Sequence, residues 1–97
     1  MATFIRLASL TDQGIRNVKN LSAMIAEARQ IMEKHGARLV EGWVTLGEYD
    51  LIVVIDAPDA NVAAEVSALI GAKGNFRARM VPAIPLAEFC DAVDKDT

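Results

Sequence analysis

The chain has one cysteine, one histidine, one tryptophan and one tyrosine. A lone cysteine excludes an internal disulfide and a four-cysteine metal site. Cys90 therefore reads as a small buried or half-buried apolar residue. A lone histidine, His35, excludes a multi-histidine metal centre within one chain. Phosphate loops, nucleophile elbows and paired-histidine motifs are absent, so no cofactor and no metal are expected. No apolar run approaches ~18 residues, which excludes a membrane-spanning helix and a membrane partner of that kind. The start Met1-Ala2-Thr3-Phe4-Ile5 lacks a basic region ahead of a long apolar stretch and is not a signal peptide. The chain is expected to be cytoplasmic.

Basic charge is also short. Glu88, Asp91, Asp94 and Asp96 stand against Lys95 at the C-terminus, and residues 1–87 carry nine acids and nine bases. A neutral body with an acidic tail lacks the basic face that a nucleic-acid partner requires. Aromatics make up only 5% of the chain, yet 53% of it is hydrophobic. Its core must be built from Val, Ile, Leu, Ala and Met, with apolar surface to spare. At 97 residues this is one domain. Residues 1–87 are read as that domain, and 88–97 as an acidic tail, partly helical or disordered.

Periodicity gives the elements. Thr3 to Leu10 alternates as a strand, with Phe4, Arg6, Ala8 and Leu10 on one side and Ile5 and Leu7 on the other. Thr11-Asp12-Gln13-Gly14 breaks it. Val18, Leu21, Ile25, Ala28, Met32 and His35 recur at helical spacing, and Gly36 suits a left-handed cap. Ala37 to Leu46 alternates again, with Leu39, Glu41 and Trp43 on one side, and Gly42 suggests a bulge or a close backbone approach. Gly47-Glu48-Tyr49-Asp50 turns the chain into Leu51-Ile52-Val53-Val54-Ile55, a strand with no polar face, so the two strands form an antiparallel hairpin. Pro58 and Asp59 open a second helix carrying Val62, Val66, Leu69 and Ile70. Asn75 to Ala83 is a fourth strand, and Leu86 to Val93 adds a short helix.

The order β-α-β-β-α-β predicts a ferredoxin-like α+β fold: a four-stranded antiparallel sheet in the order 4-1-3-2 with two helices on one face. The other face is left bare around a central strand that is apolar on both sides. A second copy packing sheet against sheet would bury it, so a homodimer or larger assembly is expected. Trp43, Leu51, Val53 and Ile55, or the alternates Ile52 and Val54, are the candidate interface residues. The competing expectation is that Leu86–Val93 folds back over the bare face.

Thr11-Asp12-Gln13-Gly14-Ile15, Gly47-Glu48-Tyr49-Asp50-Leu51-Ile52-Val53 and Ala57-Pro58-Asp59 resemble the GYD-domain family of small bacterial and archaeal proteins. The resemblance spans roughly residues 3–85, in the same order and spacing. It implies membership of the dimeric α+β barrel group and brings no established activity with it. Family members often carry an aromatic residue just before the Thr-Asp pair, where this chain has Leu10. The Gly-x-Tyr-Asp hairpin also looks like that of the effector-binding domain of leucine-responsive-type regulators, which lies near an amino-acid site between subunits. No helix-turn-helix precedes it here.

Topology places the three glycine-bearing loops, Thr11–Gly14, Gly47–Asp50 and Gly71–Asn75, at one end of the sheet, with Asp50 near Ser9 to Thr11. Thr11, Gln13, Tyr49, Asp50 and Arg77 are the candidate ligand-binding residues. The structural alternative is that Asp50 bonds backbone amides and Thr11 or Asp12 caps a helix. Arg6, Arg77 and Arg79 are expected to share the open face, to bind an anionic ligand or to pair with acids of a partner.

Three readings of function follow. One is a small homo-oligomeric binding or regulatory module with a small organic or anionic ligand between subunits. Another is a cofactor-independent enzyme of the monooxygenase or lactone-isomerase type, with Tyr49, Asp50 and His35 as acid-base groups. The third is a purely structural assembly protein.

Overall fold

The alternation of the first strand is realised in β1 (Ala2–Leu10), where Phe4, Arg6 and Ala8 are buried and the residues between them are half-buried. The structure is a computed structural model and describes residues 1–96. The Thr11–Gly14 turn winds into a short helix, α1 (Asp12–Arg16), because the Thr11 hydroxyl caps it by accepting the Gly14 amide at 3.1 Å. One 3-10 turn, Val18–Asn20, leads into α2 (Leu21–Lys34). Gly36 ends that helix with φ of 80°, the left-handed backbone that favours glycine.

β2 (Arg38–Val44) and β3 (Leu51–Ala57) form the expected hairpin. Asp59 then caps α3 (Ala60–Gly71) by accepting the Val62 amide at 2.9 Å. β4 (Phe76–Ala83) returns beside β1, and α4 (Leu86–Asp94) follows. The sheet order is β2-β3-β1-β4 with every neighbouring pair antiparallel, the 4-1-3-2 arrangement read from the other edge.

Two corrections concern which way side chains face. Leu51, Val53 and Ile55 pair with Ala8, Arg6 and Phe4 and are buried under α2 and α3, among Met32, Val66 and Ile70. They form the core, each worth about 1.5–3 kcal/mol of burial, and are not interface residues. Their alternates Ile52 and Val54 occupy the open face. The cause is register: a strand apolar on both sides gives no polarity cue, and pairing with Phe4 and Ala8 decides its orientation.

The second correction is a bulge between Leu39 and Glu41. A bulge in this strand is what Gly42 suggests, but its place separates Leu39 from Glu41 and Trp43, which were expected on one side. Leu39 stands opposite Ile55, on the helix side. Beyond the bulge, Glu41 and Trp43 pair with Val54 and Ile52 and so belong to the open face, while Gly42 pairs with Val53 on the helix side.

α4 does not fold back over the open face. Leu86, Phe89 and Val93, on one stripe of the helix, are 76%, 53% and 52% exposed. The helix extends beyond the body, and the radius of gyration is 14.8 Å against about 13 Å for a compact chain of this length. Cys90 rides on this helix and is exposed, contrary to its expected burial. Thr97, at the end of the expected tail, lies outside the described residues.

Candidate functional site

The three loops meet at one end of the sheet as their topology requires. The Asp50 amide donates to the Ala8 carbonyl at 2.9 Å, and the Asp50 carboxylate accepts the Leu10 amide at 2.8 Å. Ser9 Oγ donates to the Glu48 carbonyl at 3.2 Å. These bonds tie the hairpin turn to the end of β1. On the other side of β1, the Thr11 amide donates to the Asn75 carbonyl at 3.0 Å and Thr11 Oγ1 donates to the Gly74 carbonyl at 2.6 Å. Gln13 Nε2 reaches the Lys73 carbonyl and Asn75 Oδ1, both at 3.0 Å.

The five candidate ligand residues divide. Thr11, Gln13 and Arg77 line an open cleft of about 450 Å³ together with Ser9 and Gly74. Tyr49 and Asp50 are not part of its wall. Tyr49 is half-buried in the turn, where its carbonyl accepts from Thr45 Oγ1 at 2.6 Å. Asp50 serves as a backbone clamp. Thr11 caps α1 and Gln13 latches the α3–β4 loop, so their hydrogen-bonding groups are already engaged.

His35 lies at the opposite end of the sheet, at the close of α2, with Nδ1 3.0 Å from Glu65 Oε1. It shares no site with Tyr49 and Asp50. Among the described residues no group of three or more His, Cys, Asp or Glu is arranged to hold a metal ion. No helix among them is long and apolar enough to cross a membrane.

The three arginines do not share a face. Ser9 and Leu7 pair with Arg77 and Arg79, which stand exposed on the open side. Arg6 pairs with Met80 and Val53 on the helix side and is only 4% exposed. Its Nη1 donates to Ser67 Oγ on α3 at 2.7 Å, and its Nη2 has no hydrogen-bond partner among the described residues. Burial pushes its pKa down from the ordinary arginine value to about 10, so it stays charged at neutral pH. Arg6 is the residue that sequence reasoning misplaced, although its parity with Phe4 and Ala8 was the signal that could have found it.

A second cleft, of about 490 Å³, opens between α2 and the edge strand β2 and is walled by Ile25, Arg29, Leu39, Gly42 and Trp43 among others. Below it, a cavity of about 30 Å³ lies between sheet and helices, with Arg6 in its wall. Ile25, Leu39, Leu51 and Val53 line both.

Sheet order, crossovers and the one-sided helix layer define a ferredoxin-like α+β domain. The family model of the GYD domain matches residues 4–93, and the chain belongs to that family. The Thermus thermophilus protein named "Glutamine synthetase and cystathionine beta-lyase binding protein" is 34% identical over 89 residues, covering 91% of this chain and 94% of that protein. The crystal structure of FFRP-DM1 is similar with a TM-score of 0.60 at 21% identity, covering 87% of this chain and all of that one. The crystal structure of TTHA0845 from Thermus thermophilus matches with a TM-score of 0.58 at 16% identity, over 88% of this chain and 95% of that one. At such identities the two structures speak for the fold alone.

Proposed function

We propose that this protein is a homo-oligomeric binding module that stacks the open sheet faces of two copies and works as a regulatory partner of metabolic enzymes. One observation carries the reading. Ile5, Leu7, Ile52 and Val54, each half-buried by its neighbours in the sheet, form a central apolar patch on a face that the chain's own α4 leaves uncovered. Trp43 borders it, 51% exposed. Exposed apolar patches of this kind mark interfaces.

Charge supports a second copy as the occupant. Arg77 and Arg79 stand on the β4 edge of the face, and Glu41 stands on the β2 edge. A two-fold axis running along the strands lays the β4 edge of one copy over the β2 edge of the other, so bases meet acids. Such self-complementarity is what a two-fold interface needs. The apolar stripe of α4 then has a neighbouring copy to reach. The enzyme-binding name of the Thermus relative supports protein partners. The catalytic alternative finds less support, because His35 is remote from Tyr49 and Asp50, and Asp50 is already bonded to Leu10.

Native mass spectrometry and light scattering test the assembly. The parent is expected as a dimer or a multiple of it, and Val54→Asp as a folded monomer. Phe89→Asp should weaken the assembly and leave the monomer's unfolding midpoint in place. Purified glutamine synthetase from the same host should bind the parent and not Val54→Asp. A parent that stays monomeric at micromolar concentration would refute the reading.

A further inference from the structure

A guanidinium with no counter-ion among the described residues sits in the middle of an otherwise apolar core. Phe4 and Ala8 flank Arg6 along β1, and Met32, Phe76 and Ile70 surround the cavity it lines. Ser67 takes one of its amino groups, and Nη2 is left bare. A neutral hydroxyl satisfies a donor but does not balance a charge, and buried charges are normally paired. Water would satisfy Nη2 in the same limited way, and a cavity of about 30 Å³ holds little more than a water or two.

The geometry points to a monocarboxylate site: an apolar acid whose carboxylate meets Nη2 of Arg6 and whose hydrocarbon body lies in the α2–β2 cleft. The four walls shared by cavity and cleft, Ile25, Leu39, Leu51 and Val53, are all aliphatic. A cleft of about 490 Å³ is in the range of small-ligand pockets. One guanidinium with no second cation beside it balances one negative charge, which selects a carboxylate over a phosphate dianion. Arg29 and Glu41 both stand at the cleft wall, so the cleft carries no net charge of its own and the buried guanidinium is the unbalanced one. Gly42 keeps the mouth free of a side chain on the helix side of the edge strand. This site lies inside a single chain and stands independently of the stacked-sheet assembly.

Octanoate is the probe, with octanol as its neutral counterpart and inorganic phosphate as the bare anion. Isothermal titration calorimetry reads binding and gives the affinities. The parent is expected to bind octanoate about tenfold or more tighter than octanol, with phosphate failing to compete. Arg6→Met should bind the two probes equally. Equal binding of octanoate and octanol by the parent, effective competition by phosphate, or a preference that survives in Arg6→Met would each overturn the assignment. The parent comparison needs no substitution, so it decides the matter even where Arg6→Met does not fold.

Discussion

Asp50 and Leu10 are joined through a carboxylate–amide bond of 2.8 Å across the end of the sheet. The bond fixes where β3 begins relative to where β1 ends. The amide of Asp50, bonded to the Ala8 carbonyl at 2.9 Å, doubles the tie. Asp50 of the hairpin turn is thus, in this chain, first a register device.

Replacing the carboxylate leaves the Leu10 amide without its partner. Asp50→Ala should lose about 1–3 kcal/mol of stability, while Asp50→Asn keeps an acceptor and loses less. Urea unfolding followed by circular dichroism measures both. An Asp50→Ala protein as stable as the parent would show that the clamp does not hold the turn.

Gly14 has no room for a methyl group. A Cβ there would overlap the Asn75 carbonyl oxygen and touch Leu10 Cδ2 at 3.0 Å. That carbonyl is held by the Thr11 amide at 3.0 Å and cannot easily retreat. Gly14→Ala is expected to cost about 1–3 kcal/mol, read as a lowered unfolding midpoint. Gly71→Ala, where a Cβ meets nothing within 4 Å, is the control and should not destabilise the fold.

The charged edges of the open face offer a swap. Arg79→Glu and Glu41→Arg should each weaken self-association about five- to tenfold, the scale of roughly 1 kcal/mol for rim charges. The double variant should recover most of the loss. Sedimentation at two salt concentrations reads the constants, with smaller effects at high salt. A double variant no tighter than the singles would rule out the axis along the strands.

Arg6 should cost stability in the unliganded protein. Burial lowers its folded pKa to about 10, below the ordinary arginine value, so the charged form is the one disfavoured by folding. The penalty is present in full below about pH 10 and fades as pH rises from there toward the ordinary arginine pKa. Arg6→Met is therefore expected to be more stable than the parent at pH 7, by about 1–3 kcal/mol. The gap should hold to about pH 10 and narrow above it. Chemical denaturation at pH 7, 9 and 11 follows the trend, and a gap that widens with pH would contradict it.

Much of the fold could be read from particular residues. Gly36 after a helical stripe, Asp59 ahead of another, and two apolar runs joined by a turn led to the right element order because each is a local signal. Side-chain direction was harder. Leu51, Val53 and Ile55 cannot be told from Ile52 and Val54 by polarity, and only long-range pairing with β1 separates them. The bulge after Leu39 changes the facing of everything beyond it; Gly42 signals a bulge in this strand, but not where in the strand the register slips. The end cluster was legible as a location, since strand directions alone bring its loops together. That the Asp50 carboxylate would be occupied by a backbone amide was not, because it depends on a distance of 2.8 Å between segments 40 residues apart. Arg6 was visible in the alternation and was misassigned by grouping it with other arginines rather than with Phe4.

Gly42 is the residue of β2 that pairs with Val53 on the side facing α2. A Cβ built there would meet Val53 Cγ2 at 3.5 Å and the Ile52 carbonyl oxygen at 3.8 Å, ordinary contact distances. The position therefore tolerates growth. Alanine, then serine or valine, would throttle the entrance step by step while the sheet stays intact. The aperture of the cleft is in this sense an adjustable gauge. Substitution at this one edge-strand position would tune which molecules fit without redesigning the interior.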